Sequence, residues 1–166
     1  MNPETIHPTA DDLKVIHNLN RLDQHIVKCA DYDEYVELLW DVQHVFSERF
    51  HLWLTNKGIE EHQDKFANFA QVFLTFIYDY EHMEPLTLKS CPGRYFEEFM
   101  MDYCFRKTSI EALEYTLVPT AMRLLYIFLY EKGYLLDPPD RMIDFIDKLE
   151  PEFINKLTVT SSNNEN

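Results

Sequence analysis

The sequence predicts an all-α fold: a single-domain helical bundle in which three long antiparallel helices precede three to five shorter ones. Three observations carry that expectation. Between Asp31 and Thr55, two seven-residue patterns interlock. One is apolar (Tyr35, Leu39, Val42, Phe46, Phe50, Trp53) and one is polar (Glu34, Glu37, Asp41, His44, Glu48, His51, Thr55). Steps of three and four give each set its own helix face for about seven turns. Glycine occurs at three positions in 166, which is poor material for the turns of an all-β domain. Helix start and stop residues recur at helical spacing along the whole chain.

Each element has its own justification. Residues 1–8, with two prolines, read as a lead-in. Thr9 with Asp12 makes a capping pair, and Ile16, Leu19, Leu22, Ile26 and Cys29 form an apolar stripe to about Ala30. Asp31 with Glu34 opens the second helix, which closes at Asn56-Lys57-Gly58, because glycine accepts the left-handed conformation. A third helix is expected from about Ile59 to Met83, with His62, Phe66, Phe69, Phe73, Phe76 and Tyr80 inward and Pro85 as its stop. Residues 84–93 form a loop and a candidate internal seam.

Beyond the loop the expected helices are shorter. Arg94 to Lys107 turns Phe96, Phe99, Met100 and Tyr103 inward. Thr108 and Glu111 cap the next, which Pro119 breaks or restarts, and a further helix runs to Lys132 before Gly133. Asp137-Pro138-Pro139-Asp140 is a helix start, with acid near the positive end of the dipole. That helix is expected to end before Pro151, with a turn or two over Glu152 to Leu157 and a disordered polar tail over 158–166. Leu86 to Leu88 and Leu157 to Thr160 carry the only strand-like patterns, and no repeat suggests a solenoid.

Composition narrows the function classes. Formal charge is −14, from 29 acids against 15 bases, and residues 1–88 alone carry −10. Such a field opposes binding to nucleic acid or anionic membrane and favours a partner with a basic surface. Phosphate loops built on GxGxxG or GxxxxGK[ST] are missing, as are GxSxG and HExxH nucleophile and zinc motifs. Cys29, Cys91 and Cys104 have no metal-knuckle spacing, which points to reduced thiols and a cytoplasmic protein. The N-terminus predicts no signal peptide, and the most apolar run, Leu124 to Tyr130, is too short to span a bilayer.

Two constellations remain as candidate sites. Asp31, Asp33, Glu34, Glu37 and Asp41 form an acidic run with no base between Cys29 and Glu48, suited to docking a basic protein. The simpler reading is acids that favour the helix dipole and a solvated face. Glu48-x-x-His51 and Asp79-x-x-His82, with His44 as a further ligand, have spacings that suit Fe, Mn or Zn in a helical bundle. Their place in the polar stripe argues instead that His44, Glu48 and His51 face water. Cys91, beside Pro92-Gly93-Arg94, is expected to be the most exposed thiol, with a basic neighbour able to lower its pKa.

The reading that fits this inventory is a non-enzymatic acidic interaction module, an inhibitor or regulator of a basic partner protein. A carboxylate/histidine metalloprotein is the first alternative. The second is a structural or oligomerising domain with residues 124–130 as its contact, or as its most buried helix.

Overall fold

The computed structural model describes residues 8–28, 31–80, 82–107 and 113–163. Every regular element among them is helical, and the β feature they contain is a lone bridge between Thr87 and Ser90.

Helix α1 (Ala10–Lys28) opens with the expected capping pair. The Thr9 amide donates to Asp12 Oδ2 at 2.8 Å, and the Asp12 amide returns a bond to Thr9 Oγ1 at 3.3 Å. Val15, Leu19 and Leu22 are buried. The Cys29 expectation and the Ile26 side chain lie outside the described residues.

Helix α2 (Tyr32–Asn56) turns Leu39, Val42, Phe46, Phe50 and Trp53 into the core, as the periodicity predicts. Its start differs in detail. The Asp31 carboxylate accepts from the Asp33 amide at 3.0 Å, and Glu34 is exposed instead of completing a capping pair. Gly58, at φ +75°, closes the helix: its own amide bonds to Thr55 and that of Ile59 reaches back to Leu54.

Helix α3 (Gln63–Tyr78) is shorter than expected at both ends. His62 sits at φ +62°, a left-handed residue that ends the turn from Gly58, so it precedes the helix and lies exposed. At the far end, the amides of Asp79 and Tyr80 both bond to the Thr75 carbonyl. The chain then folds back, and the rings of Tyr80 and His82 pack against Phe76 at 5.8 and 4.7 Å.

Residues 84–93 are tied into the core. Leu86 and Leu88 are buried, and the Leu88 amide donates to the Tyr78 hydroxyl at 3.0 Å. The next helical run is α4 (Gly93–Glu98), a π-helical turn (Phe99–Tyr103) and α5 (Cys104–Lys107). Phe96, Phe99, Met100 and Tyr103 are all buried, as expected. The Thr108–Glu111 cap lies outside the described residues. A 3-10 turn (Glu114–Leu117) leads into α6 (Val118–Glu131), with Pro119 in its first turn, where a missing N–H costs nothing.

The last helix is the main departure. Helix α7 (Asp140–Asn163) is 24 residues long and runs through Pro151, so it neither ends there nor gives way to a disordered tail at 158. Ile146, Leu149, Phe153 and Leu157 form one buried stripe on both sides of the proline. Apolar burial on either side outweighs the single backbone bond that Pro151 cannot make. The chain therefore does not simply grade from long helices to short ones: α7 nearly matches the 25 residues of α2.

Aromatic rings fill the interior. Phe46, Phe50, Trp53 and Phe128 meet at 5.2–6.0 Å, and Phe73 lies 4.8 Å from Phe99 with the rings steeply inclined. Such edge contacts contribute about 0.5–1.5 kcal/mol each beyond the area they bury.

Candidate functional site

The outer side of α2 opposes that core. Asp31, Asp33, Glu34, Glu37 and Asp41 are all exposed, and among the described residues none of the five enters an ion pair. At 100° per residue, Asp33, Glu37, Trp40 and His44 fall along one line of the helix. Trp40 is 65% exposed there, and Tyr32, about two turns earlier, is 69% exposed. A large indole left in water on an acidic face is unusual, because burying it stabilises a fold more than burying almost any other side chain.

Trp40 is the residue that reading for carboxylates overlooks. Its signal is present in the sequence: Trp40 belongs to neither seven-residue set, so it falls off the core stripe although it is strongly apolar. The arrangement has a definite chemistry. Carboxylates raise the local concentration of cationic groups, and the indole face attracts ammonium and guanidinium ions directly.

The candidate metal ligands are divided between two places. His44 Nε2 lies 3.5 Å from Glu48 Oε1, with both side chains largely in water. His51 Nε2 faces Asp64 of α3 at 3.2 Å, and Glu48, His51 and Asp64 border an open groove of about 480 Å³ between the two helices. Asp79 and His82 stand elsewhere, at the end of α3 that meets Tyr35, whose hydroxyl donates to the Tyr78 carbonyl at 2.6 Å. Tyr35 and Glu48 are 13 positions apart on one helix, about 20 Å along its axis. His82 Nε2 lies 2.6 Å from the Phe76 carbonyl, and its ring packs on Phe76, Tyr80 and Tyr95. The two motifs do not converge, and among the described residues no three His, Cys, Asp or Glu side chains are placed to hold one ion.

Cys91 is half-buried and Cys104 buried, so Cys91 is the more exposed of the two described thiols, as expected. Burial pushes the Cys91 pKa up to about 12, and the lowering that a basic neighbour could bring does not occur. Cys104 is fully buried, and burial raises it too. Neither is poised as a thiolate nucleophile. In the 124–130 segment, Leu125, Tyr126, Phe128 and Leu129 are buried in the chain's own core, and Tyr130 is exposed.

The chain matches no family model, no curated protein and no solved structure. No helix among the described residues is long and apolar enough to cross a membrane.

Proposed function

We propose that this chain is a non-enzymatic interaction module that docks a basic partner protein on the outer face of α2. The observation that carries the reading is the exposed Trp40 standing between Asp33, Glu37 and Asp41 on a helix with no base from its start to Glu48. Trp is the residue most enriched at binding hot spots, and the surrounding carboxylates supply steering and register. A partner helix or loop bearing Lys and Arg beside an apolar residue fits this face. Inhibition or regulation of that partner follows if the surface it buries is the partner's own working surface.

The scaffold that presents the face is read as an antiparallel arrangement of α1, α2 and α3. Support comes from contacts that run in opposite order along α2 and α3: Tyr35 with Tyr78, Gln43 with Thr75, and Thr55 with Gln63. A reducing, cytoplasmic setting suits the free thiols of Cys91 and Cys104.

The test is affinity capture with the full chain beside the variant Asp33→Asn/Glu37→Gln/Asp41→Asn. The wild type is expected to retain a basic protein that the variant releases, with retention weakening as salt rises. Equal retention by both, independent of salt, contradicts the proposal.

A further inference from the structure

A cavity of about 580 Å³ lies where the 88–93 loop meets residues 135–139 and the first turns of α7, and no residue of α2 borders it. That volume is in the range of small-molecule sites. Leu88, Leu135, Met142 and Phe145 give it apolar walls. The wall is closely fitted at Gly93, where a Cβ would sit 3.2 Å from the Phe145 ring. Two observations mark the cavity as a site instead of a packing defect.

The first is Tyr126, which contributes to the wall from α6. Its hydroxyl is buried and has no hydrogen-bond partner among the described residues. Buried hydroxyls in native structures are paired in the large majority of cases, so an unpaired one on a residue of the cavity wall points to a group that completes it.

The second is charge. Lys89, Arg141 and Lys148 border the cavity, together with Asp137 and Asp144. Lys89 is taken by Asn20 at 2.6 Å. Arg141 and Lys148 are exposed and hold no carboxylate among the described residues, as is also true of Lys14 and Arg21 away from the cavity. Asp137 and Asp144 are equally without an ion pair among those residues, so the three bases and two acids leave the mouth with a charge of +1 in a chain of −14, and that local excess favours an incoming anion.

We propose that this cavity binds a small amphipathic carboxylic acid with a polar group at its far end. The carboxylate engages Arg141 and Lys148 at the mouth. The apolar body lies along Leu88, Leu135, Met142 and Phe145. The far hydroxyl or carbonyl pairs with Tyr126. Binding is reversible and involves no covalent step, since Cys91 is held as the neutral thiol.

Calorimetric titration of the full chain with ω-hydroxycaprylic acid, caprylic acid and octanol separates these contributions, with amide NMR shifts locating the site. The expected order is hydroxy acid first, then acid about tenfold weaker, then the alcohol, with shifts confined to residues 88–93 and 135–148. Arg141→Gln/Lys148→Gln weakens both acids about tenfold and leaves the alcohol unchanged. Tyr126→Phe erases the preference for the hydroxy acid without weakening caprylic acid. No binding by any of the three at millimolar concentration overturns the proposal. So does equal binding of all three that neither variant alters, which is the behaviour of an unselective oily surface.

Discussion

Arg49 Nε donates to Asp12 Oδ1 at 3.1 Å, and this carboxylate, the N-terminal cap partner of α1, is completely buried. The Arg49 guanidinium also donates to Thr9 Oγ1 at 2.9 Å, and the Tyr134 hydroxyl approaches Asp12 Oδ1 at 3.4 Å. One carboxylate thereby joins the start of α1, the last third of α2 and the turn after α6. Asp12→Ala leaves a mostly buried guanidinium without its partner and is expected to cost about 3–5 kcal/mol in urea unfolding. Asp11→Ala, whose carboxylate is exposed and 3.8 Å from Arg49, is expected to cost less than about 1 kcal/mol. Equal effects of the two would contradict the burial argument.

The same pair sets a pH dependence. Burial alone would raise the Asp12 pKa, but hydrogen bonds from Arg49 and from the Thr9 amide and hydroxyl hold it below its ordinary 3.8. A lowered carboxylate adds stability above that value and loses it as pH falls through the folded pKa. Asp23 behaves in the opposite sense: burial raises it, against the Tyr78 hydrogen bond and the Lys89 charge. Its contribution is complete below 3.8 and lost as pH rises through the folded value. Asp23→Asn is therefore expected to flatten the loss of stability on the rising side of 3.8, and Asp12→Asn the loss on the acid side. Unfolding free energies measured at a series of acidic pH values check both slopes.

Pro151 gives a third expectation. It lies exposed within α7, where it removes one backbone donor. Pro151→Ala restores that bond to the Asp147 carbonyl, so thermal unfolding is expected to shift upward, by about 1–3 kcal/mol of added stability. A loss of stability would show that the proline shapes α7 in a way its buried stripe does not.

Local chemistry was legible in the sequence and long-range pairing was not. The Thr9–Asp12 cap, the core stripe of α2 and the Gly58 stop are each written within a few residues, and each stands in the structure as expected. Pro151 misleads because its local rule is overruled by Phe153 and Leu157, whose burial depends on the rest of the core. The C-terminal end of α3 misplaces for the same reason: Tyr80 and His82 turn back onto Phe76, a contact no helical period encodes. Arg49 reads as an ordinary member of a polar helix until α1 brings Asp12 to it. At the candidate sites, residue types pointed to the acidic face, but not to the exposed indole of Trp40 that stands on it. The 88–148 cavity left no trace in the sequence, since its parts come from α6, α7 and two loops.

Trp40 offers the most direct test. With a basic partner in hand, the dissociation constant is measured for the wild type and for Trp40→Ala, while the emission of the core residue Trp53 reports that the fold is intact. The expected result is a loss of about 2 kcal/mol, roughly thirtyfold in affinity, with Trp53 emission and unfolding midpoint unchanged. An unchanged dissociation constant in the folded variant would place the partner elsewhere and contradict the assignment of α2 as the docking helix.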